Sequence, residues 1–130
     1  MQQIIDKPWG HETILTDKHL PYTAKILFIK AKHRLSLQSH DQKTETLTLV
    51  SGQAKIILGT SPTSLKETTM EPQVGYTIMP NTIHRLTALT DCQIYEASTP
   101  EQGTTKRLED DYQRTDEIKE SKTLSPQKPL

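Results

Sequence analysis

The chain has 130 residues, the size of one ordinary domain, and its 16 basic and 16 acidic side chains cancel. That balance gives no global electrostatic reason to expect nucleic acid or an anionic membrane as a partner. No apolar run approaches the roughly 20 residues of a membrane span, no basic-then-apolar signal segment opens the chain, and the single cysteine, Cys92, excludes an intramolecular disulfide.

Taken in chain order, residues 4–15 hold Pro8-Trp9-Gly10 between short apolar pairs, which suits an extended N-terminal arm with a turn. Trp9, the only tryptophan, is expected to anchor that arm over one open end of the core. Residues 24–29 are rich in β-formers. Residues 35–40 alternate with period two, so Leu35, Leu37 and Ser39 face one way and Ser36, Gln38 and His40 the other. Residues 46–50 read as a strand ending at the turn signal Ser51-Gly52, with 53–58 as its hairpin partner.

After the loop-forming run Gly59-Thr60-Ser61-Pro62-Thr63-Ser64, further strands are expected at 65–70, 75–79, 84–89 and 93–97. Pro72, Pro80-Asn81 and Thr90-Asp91 punctuate them, and Cys92 reads as a small buried hydrophobe. About eight short strands with frequent turns, and no long amphipathic helix before residue 105, predict an all-β antiparallel sandwich or barrel. A barrel of this size can hold a small ligand or metal in its mouth. Residues 107–112 are expected to form a helical turn. Residues 115–130 are polar and contain two prolines, which predicts a disordered tail behind a single domain of residues 1–114. A mean hydropathy of −0.65 fits a polar tail or a polar cavity.

Of the five histidines, His40 and His84 fall in strand patterns with other ligand types nearby. Gln38 and His40 lie two apart on one strand and project from the same face. Glu45 follows across the polar segment Asp41-Gln42-Lys43-Thr44, which can reverse the chain and set the carboxylate beside His40; His84 opens a later strand. A lone strand histidine is usually a hydrogen-bonded core or surface residue, so the signal is the joint arrangement. Gln38, His40, Glu45 and His84 make a mixed nitrogen and oxygen set suited to a divalent metal such as Zn, Mn, Fe or Co. Gln42 shares the strand parity and is the fallback for Gln38.

The spacing Gln38-x-His40-x(4)-Glu45-x(6)-Gly52 resembles the first motif of the cupins, and Met79-Pro80-Asn81-Thr82-Ile83-His84 the second, with Asn81 where glycine is usual. Within the cupins the chain resembles the mannose-6-phosphate isomerase type II family. The matching segments are Lys7-Pro8-Trp9-Gly10, Arg34-Leu35-Ser36-Leu37-Gln38, Val50-Ser51-Gly52-Gln53-Ala54, Thr82-Ile83-His84-Arg85-Leu86 and Arg107-Leu108-Glu109-Asp110-Asp111-Tyr112-Gln113-Arg114. That family keeps Gln at the first ligand position. It differs in having a histidine-rich stretch and Arg where this chain has Asp41-Gln42-Lys43, and glycine where Gln113 stands. Nothing here resembles the Gly-rich nucleotidyltransferase domain of its larger members.

The resemblance implies a double-stranded β-helix, or jelly-roll barrel, and metal-dependent aldose–ketose isomerisation of a sugar phosphate, with the metal as Lewis acid. By the same resemblance Arg107 and Arg114 are expected to contact substrate phosphate, which a planar guanidinium suits. Lys43 stands where the family has a basic residue tied to activity, and is expected in a catalytic or substrate-binding role. Arg85 is expected at the rim, orienting a ligand. Two other readings stay open: a cupin oxygenase, since two His and one carboxylate can form a facial iron triad, and a non-catalytic module that binds a sugar or another small molecule. A soluble, cytoplasmic homodimer is expected, paired through the open edge of its first strands.

Overall fold

The computed structural model describes residues 2–119. Its strands are β1 (Gln3–Lys7), β2 (Gly10–Ile14), β3 (Thr23–Ile29), β4 (Leu37–His40), β5 (Glu45–Ser51), β6 (Ala54–Gly59), β7 (Lys66–Thr69), β8 (Tyr76–Ile78), β9 (Ile83–Ala88), β10 (Cys92–Ser98), β11 (Gly103–Glu109) and β12 (Glu117–Lys119). No helix occurs among the described residues, and so none long and apolar enough to cross a membrane.

The strands form two six-stranded sheets, ordered β1-β2-β3-β10-β5-β8 and β12-β11-β4-β9-β6-β7, with every strand pairing antiparallel. The period-two pattern explains the packing. Leu27 and Ile29 of β3, Leu47 and Leu49 of β5, and Ile94 of β10 turn inward and are almost fully buried. They meet Ile56 and Leu86 from the second sheet in one apolar cluster that includes Trp9. This is the cupin fold, all-β and of one small domain. Cys92 is buried, and burial pushes its thiol up to about 11, so it packs as a hydrophobe.

The extended N-terminal arm with its turn at residues 8–9 is a hairpin, β1 against β2, which continues the first sheet beyond β3. Two segments differ from expectation. The helical turn expected at 107–112 begins as strand: β11 runs to Glu109, pairing with β4 on one side and β12 on the other, and a turn follows at 111–112. Thr104 and Thr105 favour strand, and the free edge of β4 supplies partners for their backbone groups, so tertiary pairing overrides the local charge pattern. Of the expected tail, residues 117–119 are β12, and residues 120–130 lie outside the described residues.

Three tight turns rest on special backbone. Gly52, between β5 and β6, has φ +83°, and a Cβ there would lie 2.2 Å from the Asp91 carbonyl oxygen. Asn81 and Gln113 adopt φ 66° and 58°, the left-handed region that favours glycine. At both positions this chain has another residue where glycine was expected by resemblance.

Candidate metal centre

His40 ends β4 in the second sheet and Glu45 opens β5 in the first, so residues 41–44 carry the chain across the gap between the sheets. The two side chains then face each other, with His40 Nε2 3.3 Å from Glu45 Oε2. His84 lies on β9, directly opposite Gln38 in the β4–β9 register, which turns both side chains inward. The rings of His40 and His84 are 5.0 Å apart, and one ligand atom from each of His40, Glu45 and His84 lies within 4.8 Å of the others. All three residues are buried.

Their partners leave the right atoms free. His84 Nδ1 donates to the Thr82 carbonyl at 3.0 Å, which fixes the tautomer and leaves the Nε2 lone pair toward the interior. His40 Nδ1 is 2.8 Å from the hydroxyl of Thr105, its register partner on β11. Burial raises the Glu45 carboxyl, but the Lys43 ammonium, with His40 and His84 beside it, outweighs burial and holds it at about 2. Glu45 Oε2 is buried and accepts no hydrogen bond, the Lys43 ammonium standing 3.5 Å off, a costly condition for an ionised oxygen. Around it, three ammonium groups (Lys7, Lys25, Lys43) stand against four carboxylates (Glu12, Glu45, Glu96, Glu101), leaving one negative charge in excess. Free imidazole nitrogens, an orphaned carboxylate oxygen and that excess charge all fit a divalent cation.

The remaining expected site residues divide. Gln38 stands beside His84, but its Nε2 is the atom near His84 Nε2, at 3.5 Å, while its Oε1 accepts from the Ser36 hydroxyl at 2.7 Å. Turning the carboxamide over would present the oxygen to the centre instead. Gln42 is exposed in the β4–β5 turn and is not part of the centre. Arg85 is not at the rim: it is 3% exposed, its Nε donates to the Leu35 carbonyl, and its two terminal nitrogens donate to Glu109. Lys43 is buried as well, its ammonium 2.9 Å from Glu101, 3.0 Å from Glu96 and 3.5 Å from Glu45.

Arg107 faces the interior because it pairs in register with Gln38 across β11 and β4. Its Nη1 donates to the Thr115 carbonyl, its Nη2 is 3.5 Å from Glu117, and its Nε is buried without a partner. Arg114 is held by Asp110 through Nε and Nη2 at 2.9 and 3.2 Å. These two arginines, with Lys7 and Lys119, line a cavity of about 270 Å³ that also contains His40, Glu45 and His84. Its apolar wall includes Trp9, Leu27, Leu47 and Leu86.

Sequence reasoning missed Glu12, Lys25, Glu96 and Glu101. The signal was present in part: Lys25 shares strand parity with Leu27 and Ile29, and Glu96 with Cys92 and Ile94, so each is a charge on an apolar face. Glu101 lies in the loop between β10 and β11, where parity says nothing.

A family model described as mannose-6-phosphate isomerase C-terminal matches residues 1–117. No curated protein matches the chain in sequence. Among solved structures, KdgF from Halomonas sp. superposes with a TM-score of 0.66 at 16% identity, over 77% of this chain and 89% of that one. The capsular polysaccharide assembling protein CapF from Staphylococcus aureus gives 0.65 at 15% identity, over 93% of this chain and 33% of CapF. Oxalate decarboxylase from Lactobacillus farciminis, as a formate complex, gives 0.65 at 17% identity, over 77% and 31%. The chain thus spans about a third of the latter two proteins, and these likenesses concern the fold. The fold, the two motifs and the match across nearly the whole described chain together establish that the chain belongs to the mannose-6-phosphate isomerase C-terminal family.

Proposed function

We propose that the protein is a metal-dependent aldose–ketose isomerase acting on a sugar phosphate of the mannose 6-phosphate type. The observation that carries this reading is the joint lining of one cavity by the His40, Glu45, His84 triad and by the cations Lys7, Arg107, Arg114 and Lys119. A bound divalent metal would supply Lewis-acid polarisation of the substrate's carbonyl and hydroxyl oxygens. His40, Glu45 and His84 would hold it, with Gln38 as fourth ligand after its carboxamide turns.

Arg107 and Arg114 bind the phosphate. The orphaned Nε of Arg107 is a donor in want of an acceptor, and a phosphate oxygen supplies one. Trp9, Leu27, Leu47 and Leu86 exclude water from the reacting carbons and so strengthen the electrostatic contacts there. Lys43, with its ammonium committed to three carboxylates, supports Glu45 rather than touching substrate. Arg85 serves the frame that carries His84 by tying β9 to Leu35 and Glu109. The active particle is a cytoplasmic homodimer.

A coupled assay with mannose 6-phosphate, on protein loaded in turn with Zn, Mn, Fe and Co, tests the reaction. Turnover with at least one metal is expected, lost in His40→Ala and His84→Ala together with metal content by elemental analysis. Metal-loaded protein without turnover under any of the four conditions refutes the isomerase reading. Tight metal binding retained by both histidine variants refutes the centre itself.

A further inference from the structure

On the first-sheet side of the cavity, two buried ammonium groups converge on one carboxylate oxygen: Glu101 Oε1 accepts from Lys25 Nζ at 2.7 Å and from Lys43 Nζ at 2.9 Å. Both lysine side chains are over nine-tenths buried. Lys43 Nζ also lies 3.0 Å from Glu96 Oε2 but stands off at 3.5 Å from Glu45 Oε2. That last oxygen accepts no hydrogen bond and is the one facing His40 Nε2. An ammonium has three donors and no intrinsic preference among carboxylates. Its standing off from Glu45 therefore reflects where the other carboxylates are fixed.

We propose that Glu101 is a positioning residue of the metal centre, which draws the Lys43 ammonium away from Glu45 and so keeps Glu45 Oε2 free for a divalent cation. Glu101 acts through Lys43, and the inference rests on the reading of His40, Glu45 and His84 as metal ligands. Without the Glu101 charge, Lys43 loses one of its two close partners and closes on Glu45. There it occupies the lone pair the metal needs and repels the cation from a shorter distance. Lys25 has the opposite influence, since it pulls Glu101 away from Lys43. Neutralising Lys25 leaves Glu101 wholly to Lys43.

The test is zinc affinity of the full chain, measured by competition with a chromophoric chelator, with circular dichroism to verify folding. Glu101→Gln is expected to weaken zinc binding about tenfold, the lower end of the effect of altering a ligand's supporting contacts. Lys25→Met is expected to leave the affinity equal or higher, whereas a general loosening of the network would lower it in both variants. In a Lys43→Met background, Glu101→Gln should cause no further loss. Should Glu101→Gln not fold, Glu101→Asp, which withdraws the charge by one methylene, carries the same test with a smaller loss. Unchanged affinity in the Glu101 variant, or a loss that persists without Lys43, overturns the proposal. A wild-type chain without zinc affinity removes the centre beneath it, a separate outcome.

Discussion

His84 and Glu45 are buried within the same centre but answer acid at different pH. Burial lowers the His84 pKa from its ordinary 6.5, against the opposing pull of the Glu45 carboxylate and the Thr82 carbonyl. The folded chain therefore refuses a proton that the unfolded chain takes as pH falls below about 6.5, and stability declines from there toward the lower folded value. Glu45 acts in the next window. Its carboxyl is held at about 2 against an ordinary 4.5, so its contribution is complete above 4.5 and is lost as pH falls from 4.5 to about 2. Melting temperature of the metal-free protein should then be level above pH 7 and fall in two stages below it. Glu45→Gln should shrink the lower stage, to which Glu101, held low by Lys43 and Lys25, still contributes, and should leave the upper stage in place. A melting temperature constant from pH 7 to pH 3 contradicts both assignments.

At the scale of elements, the family's glycine positions acquire a physical reason from the turns they occupy. Gln113 ends the turn after β11 with φ 58°. A residue with a Cβ pays about 1–2 kcal/mol for that backbone, and glycine gives back about 0.5–1 kcal/mol through its freer unfolded chain. Gln113→Gly should thus stabilise the protein by up to about 1.5 kcal/mol, and Gln113→Val should destabilise it, both read as shifts in urea midpoint at constant slope. A glycine variant less stable than the parent refutes the argument. The same elements show what the sequence made legible. β3, β5, β6 and β10 were visible because one face of each packs on the apolar core, which writes period two into the residues. β11 was hidden because its inward residues, Thr105 and Arg107, line a polar cavity and leave no apolar alternation to read. The His40, Glu45, His84 triad was legible because motif spacing reports it directly. The arrangement of Lys25, Lys43, Glu96 and Glu101 was not, because it depends on registers between distant strands and on one loop.

For the whole molecule, the distribution of charge matters more than its zero sum. The outer face of the second sheet carries charged groups such as Lys55 and Glu67 of the β6–β7 hairpin. The outer face of the first sheet is different. Register aligns Ile4, Thr13, Ile26, Tyr95 and Thr48 in one row from β1 to β5, with His11 stacked on Phe28 in the next. Ile4 is 67% exposed and Val50 55%, and Thr48 Oγ1 has no hydrogen-bond partner. Across a broad face of a chain that is 25% charged, Asp6 on the edge strand is the charged residue among the outward positions of these strands. Such a face is costly to leave in water and has the composition of an interface core. In the proposed homodimer a second copy would cover it by a two-fold contact in which each residue meets its symmetry-related neighbours. The proposed homodimer is accordingly expected to pair through this face rather than through the β1 edge alone. Light scattering after size exclusion should give twice 14.8 kDa for the parent chain. Ile26→Glu combined with Tyr95→Glu, which places two carboxylates on each copy in the middle of the contact, should give a folded monomer. A parent particle of 14.8 kDa ends the dimer reading. A dimer indifferent to the double substitution moves the contact to another face, and leaves the exposure of Ile4 and Val50 to be explained by a different partner.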